Sequence, residues 1–301
     1  MTVTQSLPPD ALDRVAPTVR PAGKRAMFQN WADLLFLHWV VPAQRIIPLL
    51  PPGLTLDTFE GRAYVGLVPF TMTGVRPIWM PPFPPLTDFH ETNVRTYVHR
   101  DGRDPGVWFF SLDAANAVAV QVARAVWKLP YHFARMSLMK SRVTVLAADD
   151  HAEDPVKPND GSQSPAAINR TSTSYGPYGM ELPPLTDGDI HVNYSTHRQW
   201  PAPVPASCTV RYTVGGPVSP AEVGTLEHFL AERYYLYTYA RRRLLRAQVH
   251  HSPYPLQRAV VHALLENMVA AAGIERPDEP PLAHYASGVT VDIYPLRRIS
   301  T

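Results

Sequence analysis

The sequence predicts an α+β fold in which an antiparallel sheet or barrel dominates and a few helices flank it. Three observations predict this. Short β-branched and aromatic runs recur between turn signals along the chain, while only a few stretches show helical spacing. Proline is abundant, at 33 of 301 residues, roughly twice its average usage of about 5%. It blocks helix interiors and central strands, so many turns are expected. The composition, 45% hydrophobic and 18% charged, is that of a globular chain able to bury a substantial core.

Taken in order, residues 1–26 are polar and proline-containing and are expected to form a flexible N-terminal arm. Residues 27–301 read as a single domain. Residues 42–50 predict a short helix, with Pro42 in its first turn and a Pro-Pro-Gly stop at 51–53. Strand character follows at 63–70, 92–98 and 107–112. Residues 76–87 are rich in proline and aromatics and read as an extended loop. The alanine-rich stretch 114–127 predicts a helix that ends before Pro130, with Asp113 suited to cap it. Strands are expected at 141–147, 191–195 and 208–214. Between the first two of these, residues 149–187 are rich in Asp, Pro, Ser, Gly and Asn, and read as an exposed insertion. Ser219, Pro220 and Glu222 form a capping-box pattern that opens a predicted helix over 219–234. A second helix is predicted over 260–272, stopped by Gly273, and a last strand over 289–294.

Charge and motifs exclude several function classes. The formal net charge is +2, too balanced to argue for nucleic acid or an anionic membrane. No apolar signal core occupies the first 25 residues. The apolar run 31–41 contains Asp33 and His38 and is too short to span a bilayer. The single cysteine, Cys208, permits no internal disulfide, which fits a reducing compartment. A cytoplasmic location without membrane or nucleic-acid partners is therefore expected, and a homo-oligomer is compatible with the sequence. P-loop, GxGxxG and GxSxG patterns are absent, as are HExxH and CxxC, so no metal or other cofactor is expected.

The strongest local signal is FHETNVRTYV, residues 89–98. In a strand, side chains alternate between faces. Glu91, Asn93, Arg95 and Tyr97 then share one face, and Thr92, Val94, Thr96 and Val98 share the other. The polar face is either the solvent side of a half-buried sheet or a pocket lining. Residues 107–110 are apolar on both faces, as in a strand buried on both sides, so the neighbouring 92–98 strand reads as internal. Ser111 and Asp113 share one face and would extend the polar cluster. Lys128, Tyr131, His132 and Arg135 gather around a proline turn; a buried lysine there would suit imine chemistry, whereas a surface lysine beside a turn would not. Glu227, His228, Glu232, Arg233 and Tyr234 crowd one predicted helix without metal-ligand spacing.

Several of these motifs recur in one order in a known family. HWVVPAQRIIPLLPPGLTLDTFEGRAYVGLVPF (38–70), FHETNVRTYV (89–98), GVWFFSLDA (106–114), ARAVWKLPYHFARM (123–136), LEHFLAERYYLYT (226–238) and VHHSPYPLQ (249–257) together resemble the YqjF-type family of uncharacterised bacterial proteins. That family lies in the acetoacetate decarboxylase-like superfamily. The resemblance implies a cone-shaped, mostly antiparallel β-barrel with flanking helices and a small central cavity. It also implies that Glu91 matches the glutamate of the decarboxylase site, and that Tyr131 and His132 stand where that superfamily carries its two lysines. Neither can form an imine, and Lys128 precedes Pro130 instead of following it. Decarboxylation through a Schiff base is therefore not carried over.

Two functions remain in view. One is an acid–base enzyme acting on small carbonyl or carboxylate compounds. Glu91 would be its general base, Tyr131 or His132 its proton donor, and Arg95 its anion holder, with Asn93, Ser111 and Asp113 binding the ligand. The other is a non-catalytic binder of a small anionic or carbonyl ligand that kept the cavity.

Overall fold

The computed structural model describes residues 12–142, 190–201 and 204–299; the insertion expected at 149–187 lies outside them. In the described part of the N-terminal arm, a single 3-10 turn spans Ala16–Thr18. There Arg14 donates to both oxygens of Asp57, at 2.6 and 2.8 Å, and Arg20 and Arg25 each pair with Asp292 at 2.7 Å.

Strand β1 spans Met27–Val41, followed by the short helix α1 (Ala43–Ile46), which ends in a 3-10 turn over Ile47–Leu49. Strands β2 (Thr55–Leu56) and β3 (Ala63–Pro77), the single-turn helix α2 (Pro84–Thr87), and strands β4 (Phe89–Arg100) and β5 (Arg103–Ala114) come next. Helix α3 (Ala117–Val122) runs on into a π-helical turn over Ala123–Trp127. Strands β6 (Tyr131–Arg142), β7 (Ile190–Trp200) and β8 (Ser207–Ser219) precede helix α4 (Leu226–Ala231). A hairpin of β9 (Tyr235–Ala240) and β10 (Arg243–His250) leads to β11 (Leu256–Glu266), helix α5 (Met268–Ala271), β12 (Leu282–Ile293) and β13 (Arg297–Arg298).

All thirteen of these strands join one sheet, and it closes on itself twice. One circuit runs β5–β6–β7–β8–β11–β12–β1–β3–β4 and returns to β5. The other runs β5–β9–β10–β12–β1–β3–β4 and returns to β5. Only the β5–β6 and β5–β9 pairings are parallel. The strands shared by the two circuits therefore face a packed interior on each side. This is why β4 is buried almost throughout, and why two cores form on opposite sides of it. Leu35, Leu37, Val65, Leu67 and Val94 pack with Tyr194, Val210 and Tyr212 of the first circuit. Leu34, Phe36, Val68 and Phe70 pack with Val249, Tyr254 and Val291 on the other side.

The expected pairing of 92–98 with 107–112 is present. β4 and β5 form an antiparallel hairpin whose turn residues Asp101 and Gly102 both take positive φ, the requirement of a tight hairpin turn. Other elements differ from expectation. Of the strand expected at 141–147, residues 141 and 142 end β6, which begins at Tyr131, and 143–147 lie outside the described residues. Residues 207–219 are strand to their end, so Ser219 caps nothing; α4 is one short helix capped by the Thr225 hydroxyl, which accepts from the His228 amide at 3.3 Å. Most of the predicted 260–272 helix is β11, paired with both β8 and β12, and only Met268–Ala271 is helical. Asn116, not Asp113, caps α3.

Candidate active site

The alternation of β4 decides the site. Glu91, Asn93 and Arg95 pair in register with Phe70, Val68 and Gly66 of β3 and share their face, towards the circuit closed by β9 and β10. All three are buried. Tyr131 joins them because β6 starts beside β5 with Tyr131 level with Leu112, itself opposite Asn93. Its hydroxyl donates to Glu91 Oε2 at 2.7 Å, and the Asn93 amide lies near the same carboxyl and favours its ionised form. Burial raises the Glu91 pKa to about 8; the bonds from Tyr131 and Asn93 oppose the rise without cancelling it. Burial, reinforced by Glu91, pushes the Tyr131 hydroxyl well above its ordinary value.

Arg95 does not pair with Glu91. Its Nη2 donates to the Leu230 carbonyl at 2.9 Å, and its guanidinium carbon lies 5.5 Å from the Phe36 ring centre and 5.7 Å from that of Tyr97. Arg95 Nε is buried and has no hydrogen-bond partner among the described residues. A buried guanidinium facing aromatic rings and a carbonyl, with no carboxylate beside it among the described residues, leaves the local charge uncompensated.

Two groups of this face went unassigned at the level of sequence. The Tyr97 hydroxyl donates to Leu230 O at 2.7 Å and lies 2.6 Å from His38 Nε2. Since its one proton goes to the carbonyl, His38 Nε2 carries a hydrogen and Nδ1 is left bare, buried and unpartnered among the described residues. Burial, helped by Arg95, holds the His38 pKa well below 6.5. Tyr97 belongs to the alternating face of 89–98, the signal that located Arg95. His38 offered only its position in an otherwise apolar run.

Three expected site residues point elsewhere. Asp113 pairs with Thr92 across the β4–β5 ladder and Ser111 with Val94, so both occupy the opposite face from Glu91. Asp113 forms a two-pronged ion pair with Arg198, both bonds 2.7 Å, on side chains 0% and 5% exposed. The Ser111 hydroxyl is buried with no partner among the described residues. His132 is level with Asp113 on that side, and its Nδ1–H donates to Pro201 O at 2.7 Å. The correction is one of parity: adjacent residues on a strand cannot both face one space. Lys128 ends the π-helical turn in a left-handed conformation, exposed, with its ammonium donating to the Ala125 carbonyl. The acidic and basic residues around α4 disperse. Arg233 pairs with Asp57 at 2.8 Å, and Glu232 accepts from the Tyr234 hydroxyl and the Tyr254 amide at 2.6 and 2.8 Å.

Among the described residues, no three His, Cys, Asp or Glu side chains gather as metal ligands, and no helix is long and apolar enough to cross a membrane.

Comparison with known proteins agrees with this architecture. Residues 28–290 match the model of DUF2071, described as an uncharacterized conserved protein. The chain is 33% identical over 280 residues to the uncharacterized protein YqjF of Bacillus subtilis (strain 168), covering 93% of this chain and 95% of that one. Among solved structures it is similar to the enduracididine biosynthesis enzyme MppR complexed with pyruvate. There the TM-score is 0.53 at 11% identity, over 93% of this chain and 92% of that one. It is also similar to acetoacetate decarboxylase from Legionella pneumophila, at TM-score 0.53 and 9% identity, over 95% and 94% of the two chains. At such identities the structural likeness establishes the fold, and the sequence match establishes the family: this chain belongs to the DUF2071 family, with YqjF, and has an acetoacetate decarboxylase-like fold.

Proposed function

We propose that the protein is an enzyme that moves protons on a small carboxylate or carbonyl compound without forming an imine. The observation that carries this reading is the presence, on one sheet face, of a buried Arg95 with no carboxylate partner among the described residues beside a Glu91 whose pKa burial raises to about 8. Arg95 supplies a permanently charged planar fork matched to a carboxylate. Binding an anion there compensates a charge that the fold otherwise leaves alone. Glu91, with a pKa near working pH, both accepts and returns a proton, the requirement for a general acid–base group. Tyr131 holds the Glu91 carboxyl in place and stabilises its ionised form once the proton has been given away. Enolisation, hydration and lyase chemistry all use these parts. The fold likeness to MppR, a protein whose structure was obtained with pyruvate, supports a small 2-oxo or related carboxylate as ligand.

The test is Arg95→Leu, followed by calorimetric titration with pyruvate and propionate. The Leu230 carbonyl keeps its bond from Tyr97, so the variant is expected to stay folded by circular dichroism and to lose carboxylate binding. Unchanged binding in the folded variant refutes the role of Arg95.

A further inference from the structure

The interior that holds Arg95 also contains a histidine clamped in one tautomer with a bare nitrogen. His251 follows β10, two residues after Val249, and strand alternation carries it to the side of Val249, which packs in the core with Phe36 and Phe70. It is buried at 3% exposure. Its ring stacks on Tyr234, with centroids 4.5 Å apart and planes 16° apart, and touches Tyr254 at 4.6 Å. Tyr254 in turn meets Phe36 edge-on at 5.3 Å, and Phe36 lies under the Arg95 guanidinium. One aromatic wall therefore joins His251 to Arg95.

The tautomer follows from the hydrogen bonds. His251 Nδ1 lies 2.7 Å from the Ser252 carbonyl, which can only accept, so Nδ1 carries the hydrogen. Nε2 is then a lone pair, buried and without a partner among the described residues. Burial, with Arg95 adding to it, lowers the His251 pKa to about 4, so the ring stays neutral and the lone pair persists at neutral pH. Asn93 shows the same pattern. Its Oδ1 is buried and unpartnered among the described residues. The interior thus offers the Arg95 cation, an unpartnered N–H at Arg95 Nε, and bare acceptors at Asn93, His38 and His251. A carboxylate alone answers only the first two. Buried acceptors are costly unless a donor reaches them.

We propose that the substrate is a small hydroxycarboxylate, whose carboxylate is held by Arg95 and whose hydroxyl donates to His251 Nε2, with Asn93 Oδ1 available to a second donor. This rests on the reading of Arg95 as the carboxylate anchor. It makes His251 a binding and specificity residue that discriminates a hydroxyl from a hydrogen at the same carbon.

The experiment compares two pairs of acids that differ by one hydroxyl, lactate against propionate and 3-hydroxybutyrate against butyrate. Binding is measured by calorimetry on the full chain, on His251→Phe and on Arg95→Leu. His251→Phe keeps an aromatic ring in the stack and removes the acceptor. For the wild type, the hydroxylated member of at least one pair is expected to bind about tenfold tighter or more, as for a site built to accept a hydroxyl. In His251→Phe that ratio falls towards one while the carboxylate still binds. Should His251→Phe fail to fold, His251→Leu is measured in its place, and an unchanged ratio in the folded variant overturns the role of His251. Equal affinities within both pairs, lost in Arg95→Leu, overturn the hydroxyl inference, show that water satisfies Nε2, and leave the carboxylate reading standing. Binding of none of the acids, or binding untouched by Arg95→Leu, overturns the carboxylate reading and this inference with it.

Discussion

Replacing Glu91 with glutamine should change how stability depends on pH, and the size of the change follows from the site. Glutamine keeps an oxygen for the Tyr131 hydroxyl and resembles the protonated carboxyl. The folded-state pKa of Glu91 is raised from 4.5 to about 8, chiefly by burial. A raised pKa means that the folded protein holds the proton more tightly than the unfolded chain. The corresponding stability is fully present below 4.5 and is lost as pH rises through about 8. At about 1.4 kcal/mol per pH unit, the whole window amounts to roughly 5 kcal/mol. Between pH 6 and pH 9 the wild type should lose roughly 3 kcal/mol relative to Glu91→Gln. For a chain of this size that is a relative melting shift on the order of 5 °C. Urea denaturation of both proteins at the two pH values measures it, because every other titrating group is common to both and cancels in the difference. Parallel stabilities from pH 6 to pH 9 would refute the claim that burial holds a protonated carboxyl at position 91, and with it the acid–base role.

Three further outcomes are expected. Asp113→Asn should cost about 3–5 kcal/mol, since it leaves Arg198 buried without its partner. Joint replacement by Asp113→Leu and Arg198→Met should recover most of that loss in urea melts, and a single variant as stable as wild type would remove the pair from the fold's support. Borohydride reduction in the presence of pyruvate or acetoacetate should leave the intact mass unchanged, because the Lys128 ammonium sits outside on the Ala125 carbonyl; an adduct on Lys128 would overturn the imine-free mechanism. Gly106→Ala should destabilise by about 1–3 kcal/mol, because its Cβ would lie 2.6 Å from the Tyr235 carbonyl where β5 meets β9; an unchanged melting temperature would show that those strands part freely.

Local pattern was legible where it agreed with the eventual pairing. The period-two run at 89–98, the turn at 101–102 and the doubly apolar 107–110 specified a β4–β5 hairpin inside the sheet while leaving the polar face of 89–98 open between solvent and pocket, and the family motifs specified the fold. Pattern failed where two periods coexist. In VVHALLENMVAAA the apolar residues satisfy helical spacing, yet Val260, Val261 and Leu264 are ladder residues of β11 because β8 lies beside them to pair with them. Partners remote in sequence supplied the hydrogen bonds, and backbone groups buried in a closed sheet must be paired.

For the site, the sequence alone determined that Glu91, Asn93, Arg95 and Tyr97 act as one face, because alternation along a strand is a local property of extended backbone. Which enclosed space that face lines, and which neighbours share it, only the tertiary structure decided. Cross-strand register set Asp113 opposite Thr92 and Ser111 opposite Val94, and so removed both from the cluster; parity along β6 admitted Tyr131 and turned His132 away. His38 and His251 reach the interior from β1 and the end of β10, far from residue 95 in the chain, and no periodicity within one segment encodes such a meeting. Closure of the sheet brings them there, and the burial it imposes raises the Glu91 pKa and leaves His251 Nε2 without a partner among the described residues.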